Sequence, residues 1–273
     1  MPLKKDLEAI TRSGGPYFGY LDITHYPCPP FVMFVNNTDD WVAAHFIGGT
    51  PYEPQTLKLW CALSRTASSV VDVGAHTGLF SLTAAAVRTD VPILAFEPNP
   101  DAYARLVVNA TANGFKNIVA KRHAVADKKG HTTIGWVVGR SDVLSPGGRL
   151  GGYNDAGSEK LVVQADTLNN LLNGIDLGSR PLVKIDVEGV EILIFLGMAN
   201  VLARLPDIIL ETFDAEACQF IVEMTALLGY RYYLIDEESG AVVQRDRLMP
   251  AGKKSLNQLL SVRPVSEIAG LMA

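Results

Sequence analysis

From about residue 70 onward, hydrophobic residues fall into two alternating textures. Short, nearly unbroken apolar runs rich in β-branched residues suit strands covered on both faces, and stretches with an apolar position every three or four residues suit helices with one buried stripe. Four strand-then-helix units are predicted: Val70 to Val73 with Leu79 to Arg88, Ile93 to Phe96 with Asp101 to Asn113, Leu182 to Ile185 with Val190 to Arg204, and Ile208 to Leu210 with Asp214 to Leu228. Between the second and third units, Asn117 to Lys121, Thr132 to Val138 and Lys160 to Gln164 read as strands. A hairpin thus replaces the expected helix, with the Gly-rich segment Gly139 to Gly157 inside it. Tyr230 to Ile235 and Leu256 to Val262 read as closing strands, the second a candidate antiparallel one.

This alternation predicts an α/β fold with a Rossmann-like, doubly wound, mostly parallel sheet. The helical run Pro54 to Leu63 leads into it, so residues 54–273 are expected to form the main domain. Residues 1–53 hold Pro, Gly and aromatics with one β-like run, Phe31 to Val35, and no sustained helical period; they are expected to form a small irregular N-terminal extension.

Composition narrows the function. Of 273 residues 48% are hydrophobic, enough for a sizeable core, and the net charge of −5 with no long Lys/Arg block speaks against nucleic acid as partner. The three cysteines, Cys28, Cys61 and Cys218, lack C-x-x-C spacing, so neither a disulfide framework nor a thiolate metal site is expected. No apolar stretch approaches the length of a membrane span and the N-terminus lacks a leader-like apolar core, which makes the cytoplasm the expected location.

Candidate chemistry starts at Asp72-Val73-Gly74-Ala75-His76-Thr77-Gly78, between the first strand and its helix, where a doubly wound sheet opens its ligand crevice. Gly74 suits the tight turn and Gly78 a close helix approach, but His76 stands where a dinucleotide site has its middle glycine. Glu97 ends the second strand about 20 residues on, the place of a carboxylate that binds a ribose diol. An adenosine ligand is therefore expected. In His123-Ala124-Val125-Ala126-Asp127, Asp127 suits either an acceptor for adenine N–H groups or a hairpin-turn residue.

The segments Tyr52-Glu53-Pro54, Val71-Asp72-Val73-Gly74-Ala75-His76-Thr77-Gly78, Ala95-Phe96-Glu97-Pro98-Asn99-Pro100 and Lys184-Ile185-Asp186-Val187-Glu188-Gly189-Val190-Glu191 together resemble the FkbM family of methyltransferases, over about residues 50 to 262. Glu211, ending a downstream strand, and Asn257 in the last strand also fit that family's pattern. The resemblance implies the class I methyltransferase fold, S-adenosylmethionine as cofactor and S-adenosylhomocysteine as product. It assigns Asp72, Gly74, Gly78 and Glu97 to the cofactor, with Asp72 near the methionine moiety, and Asp127 to the adenine end; His76, within the same turn, is a further expected cofactor-side residue.

Methylation of a hydroxyl needs alignment and a base. Asp186 and Glu188 are the leading acceptor-side candidates. His123 and His131 are further base candidates, while His25 and His45 lie in the extension. The competing reading makes the acids of this stretch a helix start complementing its dipole, with Lys184 paired to one of them. The expected acceptor is a sugar or other small metabolite. Amine methylation and Mg²⁺ assistance through Asp186, Glu188 and Glu211 stay open, although no metal site is predicted. A non-catalytic adenosine-binding module and a nicotinamide-dependent oxidoreductase are the more remote readings. Gly139 to Gly157, which holds Arg140, Asp142, Arg149, Tyr153 and Asn154, has the length and glycine content of a lid or substrate loop, the alternative being a disordered insertion.

Overall fold

The computed structural model describes residues 18–25, 27–36, 39–47, 49, 51–136, 159–187, 189–252 and 255–272. Glu188 and the Gly139 to Gly157 segment lie outside these residues.

The alternating textures become an eight-stranded sheet with helices on both faces. In chain order the main elements are α2 (Pro54–Ser64), β3 (Ser69–Val73), α3 (Leu79–Val87), β4 (Ile93–Phe96), α4 (Pro100–Ala112) and β5 (Ile118–Lys121), preceded by β1 (Phe18–Ile23), β2 (Phe31–Asn36) and α1 (Trp41–Ile47). There follow β6 (Ala124–Val125), β7 (Gly130–Trp136), β8 (Glu159–Asp166), α5 (Leu168–Leu171), β9 (Pro181–Ile185), α6 (Glu191–Leu196), α7 (Ala199–Leu202), β10 (Asp207–Glu211) and α8 (Ala215–Thr225). β11 (Arg231–Ile235), β12 (Val242–Arg245), β13 (Asn257–Ser261) and α9 (Val265–Met272) complete the chain.

The sheet order is β12-β11-β13-β10-β9-β3-β4-β5. β3, β4, β5, β9 and β10 run parallel, and β13 runs antiparallel to both β10 and β11. The doubly wound prediction and the reversed closing strand are both realised. The winding reverses between β3 and β9, so a crevice opens there at the strands' carboxyl ends.

Strand alternation sorts the side chains into two cores. Val70, Leu182, Ile209 and Leu259 face α2, α3 and α9, packing with Leu57, Trp60, Leu82 and Ile268. Val71, Val183, Ile208 and Leu260 face α6 and α8, packing with Ile194, Phe195 and Ile221.

The single helix expected over Val190 to Arg204 is two short ones. A Cβ on Gly197, at the break, would lie 2.4 Å from the Ala126 carbonyl oxygen, so this turn passes too close to the neighbouring backbone for a side chain. The hairpin expected in place of a helix is present as β7 and β8, which with β6 form a separate three-stranded sheet.

The stretch before residue 54 holds more regular structure than its composition suggested. β1 and β2 pair as an antiparallel hairpin. Two asparagines of α4 fix it: the Phe34 N–H donates to Asn109 Oδ1 at 2.7 Å, the Val32 N–H donates to Asn113 Oδ1 at 2.8 Å, and Asn113 Nδ2 returns a bond to the Val32 carbonyl. Arg105 of the same helix pairs with Asp39 at 2.7 Å. Helix α1 follows, its first turn held by Asp40 Oδ1 accepting from the Ala43 N–H.

Candidate functional site

The crevice at the switch point is lined at one end by Phe96, Glu97, Pro98, Asn99, His123, Ala124, Val125 and Ile134, by the turn Val73 to His76 in the middle, and elsewhere by Val42, Tyr52, Phe80, Asp186, Val187 and Glu211.

The glycine turn has two distinct reasons for its glycines. Gly74 has φ 82, and a Cβ there would lie 1.8 Å from the Asp186 carbonyl oxygen, so the turn after β3 presses against the end of β9. Gly78 has φ 102 at the N-cap of α3, and its missing Cβ makes room for Leu106 of α4. His76, between them, also takes a left-handed backbone, φ 49. Its N–H donates to Glu97 Oε2 at 2.8 Å, and the Asn99 N–H donates to Glu97 Oε1 at 2.8 Å. Each oxygen of a carboxylate has two lone pairs, so one on each remains for a ligand. Burial raises the proton affinity of Glu97, against which His76 and the two N–H bonds favour the charged form.

Asp72 does not line the crevice. It is buried beneath the turn, its Oδ2 accepting from Ser81 Oγ at 2.6 Å, and burial pushes its pKa up to about 6. It ties β3 to α3 and supports the turn from below.

His123 does line the crevice, on the Glu97 side. It follows β5, three strands from β9, and at about 4.8 Å per strand this sets it roughly 14 Å across the edge from Asp186. Its Nδ1 is buried without a hydrogen-bond partner among the described residues, and burial with the nearby Lys121 lowers its basicity. Asp127 is exposed in the turn between β6 and β7 and does not line the crevice, so the turn alternative describes its position.

At the other end, one face of the sheet carries a row of polar groups. Asp72 and Lys184 are register partners, Glu211 and Asn257 are register partners, and Asp186 lies two residues beyond Lys184 on the same face. Lys184 is fully buried, with its Nζ 2.9 Å from Asp186 Oδ2 and 4.8 Å from the Phe80 ring centroid. Burial alone would weaken its hold on a proton. Asp186, Glu53 and Glu211 outweigh that and raise its pKa.

Above this row, Glu53 reaches in from the start of α2. Its Oε2 accepts from Asn257 Nδ2 at 2.7 Å, and burial pushes its pKa up to about 7 against the opposing influence of Lys184. Tyr52 lines the crevice beside it, its phenol pushed well above the usual range by burial and by Glu53, Asp186 and Glu211.

Glu191 behaves as a helix-start residue, its Oε1 accepting from the Gly189 N–H at 2.8 Å. The helix-start reading therefore describes Glu191, and the Lys184–Asp186 pair is the pairing that reading expected. Among the described residues no group of three His, Cys, Asp or Glu side chains is arranged to hold a metal ion. Tyr52, Glu53 and Asn257 were visible in the sequence only as matching motif text, because their meeting depends on the β10–β13 pairing.

The strand order and the acid-ended second strand define an α/β protein with a crevice at its switch point, the place where doubly wound folds take a nucleoside-type cofactor. A family model described as Methyltransferase FkbM domain matches residues 72–232, and the chain belongs to this family: it is an S-adenosylmethionine-dependent methyltransferase. No curated protein matches it. Similar solved structures include precorrin-6y C5,15-methyltransferase from Geobacter metallireducens, at 13% identity over 79% of this chain and 90% of that one, TM-score 0.43. Another is a SAM-dependent methyltransferase from Agrobacterium tumefaciens, at 11% identity over 92% and 72%, TM-score 0.47. A third is an O-methyltransferase of tomaymycin synthesis from Streptomyces achromogenes, at 12% identity over 80% and 85%, TM-score 0.43. Among the described residues no helix is long and apolar enough to cross a membrane.

The residues present fit S-adenosylmethionine. The free lone pairs of Glu97 suit a ribose diol, Phe96, Pro98, Val125 and Ile134 offer apolar walls, and the buried Nδ1 of His123 awaits a polar partner.

Proposed function

We propose that this enzyme methylates a hydroxyl group of a neutral, polyhydroxylated small molecule, such as a sugar, with Asp186 as the base. The observation that carries this reading is the Lys184–Asp186 pair at the crevice edge: one Asp186 oxygen is held by Lys184 and the side chain keeps 25% of its surface exposed. Oδ1 is left to accept a proton. The carboxylates of Asp186 and Glu211 offer hydrogen-bond acceptors to the acceptor molecule, which suits an array of O–H donors.

In this reading Glu97 holds the ribose, the walls near His123 take the adenine, and the Gly74 to Gly78 turn receives the amino-acid portion. The cofactor, when bound, supplies a methyl group on a positively charged sulfur. Asp186 then removes the hydroxyl proton as the oxygen attacks, and Lys184 fixes the carboxylate's direction. Proton removal by a positioned group contributes about 10²- to 10⁴-fold.

The test is release of S-adenosylhomocysteine across a panel of neutral sugars, other hydroxy compounds and amines. Turnover of hydroxyl acceptors that falls at least about 10²-fold in Asp186→Asn, with S-adenosylhomocysteine affinity kept, supports the reading. Turnover of amines alone sinks the hydroxyl assignment, and full activity in Asp186→Asn sinks the base.

A further inference from the structure

Two oxygens at the edge of the sheet lack a donor, and they belong to side chains already bonded to each other. Asn257 Nδ2 donates to Glu53 Oε2 at 2.7 Å, while Glu53 Oε1 and Asn257 Oδ1 are both buried without a hydrogen-bond partner among the described residues. Oε1 shares its carbon with Oε2, and Oδ1 shares its carbon with Nδ2, so both orphans sit beside the existing bond. Buried polar atoms left unpaired are rare and need a cause.

Neither solvent nor a ligand in the crevice supplies the missing donor, because both residues are buried and neither lines the crevice. Helix capping does not engage Glu53 either. It stands at the N-cap of α2 with a left-handed backbone, φ 42, yet its side chain makes no cap hydrogen bond. Glu237, from the turn after β11, caps the helix instead, accepting from the Gln55 N–H at 2.8 Å, the Thr56 N–H at 3.0 Å and Thr56 Oγ1 at 2.6 Å. The donor has to come from the pair itself.

An ionised carboxyl group only accepts hydrogen bonds, whereas a protonated one has a single O–H to give. One proton on Oε1 satisfies both orphans at once, since Oδ1 can accept it. The groups facing Glu53 are Lys184 and Asp186 from β9, Glu237 from the turn after β11 and Tyr52 from its own segment. Nearby, His25 Nε2 lies 2.9 Å from the Pro54 carbonyl oxygen, and His45 of α1 packs edge-on against the Tyr52 ring. Burial, Asp186 and Glu237 favour the protonated form, with a pKa of about 7, against Lys184 and Tyr52. Lys184 is already matched by Asp186 at 2.9 Å, so a neutral Glu53 leaves that pair balanced.

We propose that Glu53 is held as a neutral carboxylic acid in a two-bond pair with Asn257, Oε1–H donating to Oδ1 and Nδ2–H donating to Oε2, and that this pair makes Glu53 the positioning residue of Tyr52. Tyr52 directly precedes Glu53 and lines the crevice, and Pro54 directly follows it as the first residue of α2. Anchoring Glu53 on β13 therefore fixes the point where the chain passes from crevice wall into helix. On ionisation the proton leaves to solvent, two acceptor oxygens are left side by side, and the anchor loosens as pH rises through about 7. The pair does not depend on Asp186 being the base.

The experiment is an NMR titration of the full chain labelled with carbon-13 and nitrogen-15, following the Glu53 carboxyl carbon, the Asn257 side-chain amide and the Tyr52 ring. Signals are assigned through the backbone, so the readings on the unmutated protein need no variant to fold. The Glu53 carbon is expected to titrate about two pH units above the exposed glutamates, about a hundredfold gain in proton affinity, and the Asn257 and Tyr52 signals to move at the same midpoint. In Glu53→Gln, whose amide can make the same two bonds, the Asn257 and Tyr52 signals are expected to stay constant across that range. A Glu53 midpoint among those of the exposed glutamates overturns the neutral acid. An Asn257 amide that is silent at a raised Glu53 midpoint overturns the pair, because burial alone then accounts for the retained proton. Tyr52 signals that ignore the Glu53 midpoint, or that still move in Glu53→Gln under the influence of His45, overturn the positioning role.

Discussion

The side-chain amide of Asn257 donates to Glu53 Oε2 at 2.7 Å, joining residues 204 positions apart in the chain. Asn257 stands in β13, and Glu53 opens α2, so the bond fastens the last strand to the helix that precedes the first strand of the parallel core. Asn257→Leu takes from a buried carboxylate the donor to its Oε2. The expected cost is about 1–3 kcal/mol of stability, read by chemical denaturation. An unchanged midpoint and slope in urea would show that the amide contributes nothing there.

Gly74→Ala is expected to damage fold and cofactor site together. The new Cβ meets the Asp186 carbonyl oxygen, and a left-handed backbone is itself unfavourable for alanine by about 1–2 kcal/mol. The expected result is a clear loss of thermal stability and at least about tenfold weaker S-adenosylhomocysteine binding. Binding at the original affinity would mean that the turn adjusts freely, against the contact described.

Much of this arrangement was legible beforehand, and the limits have physical causes. The doubly wound order followed from strands apolar on both faces, and Glu97 followed from its place at a strand end. Asp127 had two readings because an acid before Lys-Lys-Gly serves a turn as readily as a ligand. Asp72 was placed against the cofactor because motif text carries no information on side-chain direction; alternation along β3 turns it into the core, onto Ser81. His123 lay close to plausible chemistry in sequence, but the sheet order puts it three strands from Asp186. Nothing local in Glu53 revealed that it meets Asn257, since that contact requires β13 to lie beside β10 at the edge that α2 approaches.

Glu97→Gln keeps the shape of the side chain and removes its charge. Hydrogen bonds to charged groups contribute about 1.5–3 kcal/mol, so one such bond lost weakens S-adenosylhomocysteine about 10- to 150-fold in a calorimetric titration. Unaltered affinity would place the ribose elsewhere.

Stability is expected to carry a pH signature from two buried acids. Glu53 and Asp72 have folded pKa values of about 7 and about 6, raised by burial from ordinary values of 4.5 and 3.8. The folded state therefore binds their protons more tightly than the unfolded state. Their contribution is fully present below about pH 4 and is lost as pH rises through 6 and then 7. Melting curves of Glu53→Gln are expected to decline less than those of the unmutated protein between pH 5 and 8. Parallel declines would mean that Glu53 titrates normally.

The clasp between α4 and β2 works as a matched ruler. Asn109 and Asn113 are one helical turn apart, a rise of about 6 Å, and the strand residues they hold, Phe34 and Val32, are two apart, a rise of about 6.8 Å. The two spacings coincide only in this register. A single-residue insertion in β2 would shift every later side chain to the opposite face and turn the buried Met33 and Val35 positions outward, so the hairpin tolerates changes of residue identity far better than changes of length.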